Sequence, residues 1–280
     1  MTSQKFAPPF SKTPQGELAG KLDRLKDIIG EMDSALVAFS GGVDSTLLLS
    51  LASEDLGGKV VAVTANSEIF SRKEVSQAVK LAKEAGVKHR LVESGELNNE
   101  NFLSNPSNRC YYCKKEIFSG LWKLAREEGC RYLLDGANAA DLEDFRPGIQ
   151  AVQELDIKSP LQEAGLTKEE IRELSRWYRL PTADKPSMAC LASRIPYGRR
   201  IIKEELKQVE AAEEYLQERG TGQVRVRHYG EIARIEVMPE EMSRMLKDRE
   251  KIVRKFKELG FVYVTLDLQG FRSGSMNETL

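Results

Sequence analysis

The chain has 280 residues, of which 41% are hydrophobic and 30% are charged, a composition typical of a globular protein with a sizeable core. Its net charge of −1, from 42 Lys and Arg against 43 Asp and Glu, argues against nucleic-acid binding driven by the overall charge of the protein. No apolar run approaches the roughly 20 residues that span a bilayer, and the amino terminus, with Pro8-Pro9, lacks the apolar core of a signal peptide. We therefore expect a cytoplasmic protein without a membrane partner.

Predicted strands and helices alternate along the first part of the chain. The strands are predicted at 35–39, 59–64, 89–93 and 131–135, and helices at 18–32, 72–85 and 114–128. This alternation predicts an α/β fold with a parallel sheet covered on both faces. Ligands of such sheets bind at the carboxyl ends of the strands.

A glycine turn follows the first predicted strand and precedes a leucine-rich helix. Its sequence is Ser40-Gly41-Gly42-Val43-Asp44-Ser45. The glycines permit a sharp turn, and the start of the next helix leaves N–H groups that suit an anion such as pyrophosphate. The hydroxyls of Ser40 and Ser45 add phosphate contacts, and Asp44 is a candidate magnesium ligand. An ordinary strand-to-helix turn is the alternative, which these converging polar groups make less favourable.

The chain has no G-x-x-x-x-G-K-[ST] motif, which excludes a Walker-type loop. The hexapeptide instead resembles the pyrophosphate loop, or PP-loop, of ATP pyrophosphatases. These enzymes split ATP into AMP and pyrophosphate while they adenylate a substrate. The resemblance implies an adenine nucleotide alpha hydrolase-like domain that binds ATP.

Two further strand ends are candidates for contact with the adenosine. Thr64 and Ala65 end the second predicted strand, and Gly136 follows the fourth. Each is equally compatible with a polar loop. Between Gly136 and Gly148, the loop also carries charged residues that suit phosphate or magnesium, although solvated loop charge explains them as well. These residues are Asp141, Asp144 and Arg146.

The pattern of predicted elements and of charged residues changes near residue 203. A helix at 167–178, with Thr167 as N-cap and Glu170 completing a capping box, precedes this point. Beyond it the sequence predicts charged helices at 203–218 and 240–259 and strands at 223–227, 232–237 and 262–268. We therefore expect a PP-loop domain at 1–202 and a smaller α+β domain at 203–280, for substrate binding or oligomerisation.

Cys190 lies in a segment between two prolines, which limit its backbone freedom. Lys185 and Arg194 are close enough in sequence to stabilise a thiolate, the reactive form of cysteine. A small buried hydrophobic side chain is the alternative. The four cysteines are too few and too scattered for a disulfide framework, so we expect them to be reduced.

Four segments together resemble the LarE family of ATP-dependent sulfur transferases, which act in biosynthesis of the nickel-pincer nucleotide cofactor of lactate racemase. They are the hexapeptide and residues 108–114 (NRCYYCK), 185–198 (KPSMACLASRIPYG) and 270–278 (GFRSGSMNE). The hexapeptide identifies only the superfamily, whereas the Cys190 and carboxyl-terminal segments are more selective. The likeness extends over nearly the whole chain.

The resemblance implies a specific reaction. ATP adenylates a carboxylate of pyridinium-3,5-biscarboxylic acid mononucleotide and releases pyrophosphate. A cysteine thiolate then displaces AMP to give a thioester, and cleavage of the cysteine Cβ–S bond leaves a thiocarboxylate and a dehydroalanine. Carried onto this sequence, Cys190 is the sulfur donor, and Asp44 and magnesium assist at the phosphates. The family also forms homo-oligomers.

A mononucleotide substrate requires a second phosphate site, and arginine suits it through bidentate hydrogen bonds. Arg225 and Arg227 alternate along a predicted strand, which places both on one face while the intervening valines face the core. Arg272 and Arg194 complete the candidate set and lie in segments that resemble the family. A solvated surface charge is the alternative for each arginine by itself.

Cys110 and Cys113 form a C-x-x-C pair before a predicted helix, which suits a redox dithiol, half of a metal site or two ligands of an iron–sulfur cluster. Some LarE relatives carry sulfur on a cysteine-bound cluster. Ala192 and Ser193 stand beside Cys190 where such relatives have further cysteines, which favours the sacrificial route, but a [4Fe-4S] cluster on Cys110, Cys113 and Cys190 stays open.

Other functions remain alternatives at this point. An amide ligase of the NAD or GMP synthetase kind would use the same loop and no reactive cysteine. A tRNA-thiolating enzyme would need a basic surface, which the near-neutral charge disfavours. A non-catalytic nucleotide-binding module is the last alternative.

Overall fold

The computed structural model describes residues 14–142, 147–272 and 274–279. They form two compact units, each built from several stretches of chain. The first unit comprises residues up to 67, 72–96 and 108–188, and the second comprises 68–71, 97–107 and the chain from 189. Pro8, Pro9, Asp144, Arg146 and Ser273 lie outside the described residues.

The α-helices and strands of the described chain are numbered in chain order. The helices are α1 (Glu17–Gly30), α2 (Val43–Leu56), α3 (Arg72–Ala85), α4 (Glu100–Leu103), α5 (Arg109–Glu127), α6 (Gly148–Glu154), α7 (Pro160–Glu163), α8 (Lys168–Trp177), α9 (Lys203–Glu218), α10 (Met242–Lys247) and α11 (Arg249–Glu258). The strands are β1 (Ala35–Ala38), β2 (Val60–Asn66), β3 (Lys88–Glu93), β4 (Tyr132–Leu134), β5 (Val224–Tyr229), β6 (Ile232–Val237) and β7 (Tyr263–Leu266). In the described part of the chain, no helix has the length and apolar character needed to cross a membrane.

The first unit contains a four-stranded parallel sheet with the order β3-β2-β1-β4. Side chains of β1 alternate between its two faces. Ala35 and Val37 join a core with α1, α2 and α8, whereas Leu36 joins a second core with α5 and α6. Because both faces are covered there, β1 and most of β2 are continuous apolar runs, whereas the edge strand β3 is polar and largely exposed. The predicted α/β fold with a parallel sheet is confirmed.

The second unit has its own sheet and core. β5 pairs with β6 in antiparallel fashion, and β6 pairs with β7 in parallel. α9, α10 and α11 pack on one face of this sheet through a core that contains Leu216, Met245 and Phe256. This small mixed sheet with helices confirms the predicted α+β region.

The compact units divide the chain differently from the predicted boundary at 202/203. Residues 189–202 belong to the second unit, where backbone hydrogen bonds tie them to 68–71 and 97–107. Asn105 is the centre of this attachment. Its buried amide donates to the carbonyls of Ile195, Pro196 and Arg199 at 3.3, 2.7 and 3.0 Å. The assignment of functional domains to 1–202 and 203–280 stays a prediction.

The single helix predicted at 240–259 is wrong, because the chain breaks at Asp248 into α10 and α11. Asp248 has φ −92° and ψ 8°, outside the helical region. Aspartate is a poor residue for a helix interior, since its short polar side chain competes with the helical hydrogen bonds. The pattern of charged residues continues across Asp248, and it therefore predicted one uninterrupted helix.

The predicted capping box at the start of α8 is confirmed. The Thr167 side chain accepts a hydrogen bond from the Glu170 N–H, and the Glu170 carboxylate accepts one from the Thr167 N–H at 2.8 Å. This cap fixes the point at which α8 begins and so the position of Lys168, its first residue. Glu170 also forms an ion pair of 2.8 Å with Lys21 of α1.

We expect Thr167→Ala to lower the free energy of unfolding by about 1 kcal/mol, because the mutation removes the side-chain cap. Thr167→Ser, which keeps the hydroxyl, is the matched control and should lose much less. Urea unfolding of the three chains measures both differences. Equal stability of Thr167→Ala and the wild type would contradict a stabilising cap.

Candidate functional site

The glycine turn joins β1 to α2 in the first unit. Gly41 has φ +67°, in the left-handed region that favours glycine, and Gly42 is the N-cap of α2. Since Gly42 provides no side-chain cap, the first amides of α2 keep their hydrogen-bonding capacity for a ligand. This is the geometry of an anion site at a helix N-terminus.

Glycine is also required here because neighbouring backbone comes close. A Cβ on Gly41 would lie 3.0 Å from the Cα of Ala78 in α3. A Cβ on Gly136 would lie 3.2 Å from the backbone nitrogen of Ser45. The loop after β4 therefore packs directly against the start of α2, and the structure brings the predicted residue Gly136 to the glycine turn.

Hydroxyl groups line the turn as the sequence suggested. The Oγ atoms of Ser40 and Ser45 are 3.2 Å apart, and the Gly42 N–H donates to Ser40 Oγ at 3.3 Å. Thr46 Oγ1 donates to the Gly42 carbonyl at 2.8 Å. Ser40 is exposed whereas Ser45 is buried. Ser40 is therefore the hydroxyl that an incoming phosphate would meet first.

Asp44 has two partners that sequence reasoning did not foresee. The Lys168 ammonium pairs with Asp44 Oδ2, and the Asn138 amide donates to Asp44 Oδ1 at 3.4 Å. Lys185, predicted to act on the Cys190 thiol, donates to the Gly41 carbonyl at 3.0 Å. The cap on α8 was visible in the sequence, but its proximity to the turn is a product of the fold.

Asp44 suits magnesium as a single carboxylate. Mg²⁺ usually takes one or two carboxylates and completes its coordination with phosphate oxygens and water. Across residues 14–142, 147–272 and 274–279, no group of three or more His, Cys, Asp or Glu side chains is arranged to hold a metal ion. Asp44 would supply one carboxylate, and phosphate oxygens and water would complete the coordination of an ion bound there.

The other predicted adenosine contacts differ in availability. Thr64 is buried, and its hydroxyl donates to the Phe39 carbonyl at 2.7 Å and lies 2.9 Å from His89 Nε2. Its hydroxyl therefore already has partners in the residue after β1 and in β3, and contact of Thr64 with a nucleotide stays a prediction. Ala65 is half-buried. Asp141 accepts from the Asn138 N–H at 3.0 Å and so shapes the loop after β4.

α5 begins earlier than predicted, at Arg109, so that Cys110 and Cys113 are its second and fifth residues. Residues three apart share one helical face. Cys110 is exposed and Cys113 is half-buried, whereas Cys130 is buried in the core, where burial raises the pKa of its thiol. All four cysteines of the chain are thiols.

In the second unit, Cys190 is partly exposed and directly precedes a short 3₁₀ helix, Leu191–Arg194. The Arg194 side chain is 0% exposed and donates to both carboxylate oxygens of Glu213 at 2.8 Å. Arg194 Nη1 also donates to the carbonyls of Ala189 and Cys190 at 2.8 and 3.1 Å. Arg194 thus holds the backbone around Cys190 through these carbonyl groups, and the bonds do not involve the Cys190 thiol.

The alternation predicted for β5 is observed. Val224 and Val226 lie in the core, and Arg225 and Arg227 occupy the other face. Both arginines are buried, at 4% and 5% exposure. Arg227 donates to Ser193 O at 3.0 Å, Glu236 Oε2 at 2.7 Å and Ser275 Oγ at 2.9 Å. Arg225 donates to the Val224 carbonyl at 2.8 Å.

Arg272 is the more accessible member of the predicted phosphate set. Its side chain is 34% exposed, and its guanidinium lies 3.0 Å from Glu278. The structure thus gathers the four arginines, Cys190 and the carboxyl-terminal segment in the second unit. Arg194 is fully buried on Glu213, and Arg227 is likewise buried on Glu236.

His228 is buried in a polar cluster of the second unit. Its Nδ1 accepts from the Gly230 N–H at 3.2 Å and faces Arg199 Nη1 at 3.1 Å, so Nε2 carries the proton and faces Gln208 Oε1 at 2.8 Å. Burial, followed by the Arg199 charge, lowers the pKa of His228 to about 4. Glu205, 3.8 Å away, has a pKa raised by burial.

Comparison with known proteins decides the family. The model of the queuosine biosynthesis protein QueC matches residues 34–105, which contain the glycine turn. An uncharacterized protein of Synechocystis is 45% identical over 94% of this chain and 99% of its own length. The pyridinium-3,5-bisthiocarboxylic acid mononucleotide synthase of Lactiplantibacillus plantarum is 39% identical over 94% of this chain and 96% of its own length. The chain belongs to the LarE family.

More distant relatives share only part of the LarE chain. A glutamine-hydrolyzing GMP synthase chain of Methanopyrus kandleri is 28% identical over 57% of this chain and 54% of its own length. This resemblance extends over little more than half of each protein. The likeness to the L. plantarum synthase, in contrast, takes in nearly the whole of both chains.

We expect Gly41→Ala to destabilise the first unit more than Gly86→Ala does. Both glycines have positive φ, +67° and +70°, but the space beside Gly86 is open whereas Ala78 lies against Gly41. Both variants should lose about 1 kcal/mol for the left-handed backbone, and Gly41→Ala roughly 1 kcal/mol more for crowding. Urea unfolding measures the two losses, and equal losses would contradict the close approach.

We expect the buried neutral His228 to make stability fall as the pH drops from 6.5 to about 4, since the unfolded chain binds a proton that the folded chain resists. The contribution is up to about 3 kcal/mol. Glu205 opposes it, because a raised carboxyl pKa favours the folded state as the pH falls.

The measurement is the free energy of unfolding against pH for the wild type and His228→Gln, which retains Glu205. The wild type should lose more stability across this window than the variant. Identical slopes would show that the imidazole does not resist protonation in the folded protein.

Proposed function

We propose that this chain is an ATP-dependent sulfur transferase that converts the carboxylates of pyridinium-3,5-biscarboxylic acid mononucleotide into thiocarboxylates, for nickel-pincer nucleotide biosynthesis. The observation that carries the proposal is its 39% identity with the L. plantarum bisthiocarboxylic acid mononucleotide synthase over 94% of this chain. The two sulfur atoms in that relative's product correspond to two rounds of transfer. The thiols of the chain and its use of ATP suit the cytoplasm, and a homo-oligomer stays a prediction.

The first step is adenylation of the substrate carboxylate at the glycine turn. A carboxylate oxygen attacks the α-phosphorus of ATP, and pyrophosphate leaves with its charge directed at the first amides of α2 and the Ser40 hydroxyl. Magnesium bound by Asp44 would neutralise phosphate charge. Lys168, which pairs with Asp44 in the structure, is a second cation beside the same turn and can turn to the phosphates when Asp44 binds the ion.

The second step is attack of the Cys190 thiolate on the acyl carbon, with AMP as the leaving group. An acyl-adenylate is a strong electrophile and a thiolate is the best side-chain nucleophile near neutral pH. Cys190 is partly exposed, and its neighbours hold its backbone, so the sulfur stays accessible.

The third step breaks the Cβ–S bond of Cys190 and leaves the sulfur on the product. The alternative source is a [4Fe-4S] cluster bound by Cys110, Cys113 and Cys190. We favour the sacrificial route because Ala192 and Ser193, rather than further cysteines, accompany Cys190.

The substrate phosphate is assigned to Arg225, Arg227 and Arg272. Arg272 is the most accessible of these, and Arg225 and Arg227 are buried on one face of β5. Arg227 would have to exchange its ion pair with Glu236 for the phosphate. The Arg194 guanidinium already donates to both carboxylate oxygens of Glu213. We therefore do not retain Arg194 among the residues proposed to bind the substrate phosphate.

The competing function is an amide ligase, which the distant likeness to the GMP synthase of M. kandleri favours. A ligase needs the glycine turn but no thiol at position 190. We expect Cys190→Ala to release pyrophosphate from ATP in the presence of the biscarboxylate mononucleotide and to form no thiocarboxylate, because the adenylate then lacks its nucleophile.

Cys130→Ala is the matched control, since its thiol is buried in the core and takes no part in the proposal. Its product yield should match that of the wild type once folding is confirmed by circular dichroism. Pyrophosphate release and the product mass are measured together. Amide formation from ammonia by Cys190→Ala, or a full yield of thiocarboxylate from it, would overturn the proposed function.

A further inference from the structure

The peptide carbonyl of Cys190 accepts hydrogen bonds from three donors. The Ser193 N–H lies at 3.0 Å, Ser193 Oγ at 2.7 Å and Arg194 Nη1 at 3.1 Å. The first bond is the ordinary i to i+3 bond of a 3₁₀ helix. The other two come from side chains, one of them charged. They concentrate donors on a single oxygen beside the proposed sulfur donor.

The donors are fixed before any ligand arrives. Arg194 is fully buried, and its Nε and Nη2 atoms donate to the two carboxylate oxygens of Glu213, each at 2.8 Å. Glu213 in turn accepts from the Val226 N–H of β5 at 2.8 Å. Arg194 Nη1 carries two protons and lies 2.8 Å from both Ser193 Oγ and the Ala189 carbonyl, so its 3.1 Å bond to the Cys190 carbonyl shares a proton with one of these acceptors. Because Ser193 Oγ accepts from Arg194, its own proton is directed at the Cys190 carbonyl. A helix end needs no buried ion pair for capping, and burying one costs desolvation energy.

The proposed reaction generates charge on this oxygen. After thioester formation, a base removes the Cα proton of Cys190, and the electron pair of the C–H bond becomes an enolate whose negative charge lies on the Cys190 carbonyl oxygen. That pair then forms the Cα–Cβ double bond, the Cβ–Sγ bond breaks, and its electrons leave with the sulfur as the thiocarboxylate anion. The base passes this proton on to solvent, to which Cys190 is partly exposed.

We infer that Ser193 and Arg194 form an oxyanion hole for the enolate of the Cys190 peptide and so accelerate the elimination step. This inference rests on the proposed function. Preorganised donors act most strongly where charge develops in the transition state, and bonds to a charged acceptor are stronger than bonds to a neutral carbonyl. Neither residue contacts the acyl-adenylate in this role, so thioester formation should not depend on them.

The test is a rapid-quench time course of intact protein mass with ATP, magnesium and the biscarboxylate mononucleotide. It resolves the unmodified chain, the thioester adduct and the chain that has lost the elements of hydrogen sulfide. In Ser193→Ala and Arg194→Lys, the thioester should accumulate, because elimination slows by about 10²-fold while pyrophosphate release changes by less than about 2-fold. Ser104→Ala is the matched control, since it deletes an equivalent Oγ to O(i−3) bond of 3.0 Å elsewhere in the second unit.

A second readout separates chemistry from folding. In chains carrying cysteine deuterated at Cα, the isotope effect on dehydroalanine formation should be larger in Ser193→Ala than in the wild type, because proton removal has become slower. If Arg194→Lys does not fold, Ser193→Ala decides the question, since it removes a single hydroxyl.

The inference is overturned if the wild type eliminates and the folded Ser193→Ala chain either eliminates at the same rate or loses thioester formation and elimination equally. The proposed function then survives. Thiocarboxylate formed by the wild type with no thioester and no mass loss would overturn the inference and the sacrificial route, but not sulfur transfer itself; amide in place of thiocarboxylate would overturn the proposed function.

Discussion

The buried ion pair between Arg194 and Glu213 is the constraint on which the second unit depends. Arg194 is 0% exposed, and its charge is compensated by a carboxylate from α9 that also accepts from the first strand of the second sheet. Removing one partner of such a pair typically costs about 3–5 kcal/mol, a large part of the stability of an ordinary domain. The same guanidinium holds the backbone carbonyl of Cys190. Stability and the presentation of the proposed sulfur donor therefore share one interaction.

The glycine turn, in contrast, is held by close packing of backbone rather than by a buried ion pair. Gly41 and Gly136 let neighbouring backbone close around the start of α2. The charges there, on Asp44 and Lys168, are partly exposed and pair with each other. In the proposed function, they exchange partners when a nucleotide and a metal ion bind. The proposed elimination instead uses donors that are already in place around the Cys190 carbonyl.

Local signals in the sequence were sufficient for much of this account. The helix at 72–85 and the capping box of Thr167 were predicted correctly, because apolar periodicity and end caps depend on residues that are close in sequence. The attachment of 195–199 to Asn105 and the pairing of Lys168 with Asp44 were missed, since each joins residues more than 85 positions apart in sequence. Arg194 was identified as important, but only its contacts show that it holds backbone rather than being presented to a phosphate.

The central claim is that the side chain of Cys190 is consumed as the sulfur source. The most direct measurement is peptide mass mapping of the chain before and after one turnover with ATP, magnesium and the biscarboxylate mononucleotide. The account predicts that the peptide containing position 190 carries dehydroalanine, in an amount equal to the thiocarboxylate released. Thiocarboxylate formed in excess of the chain, with cysteine still intact at position 190, would contradict it.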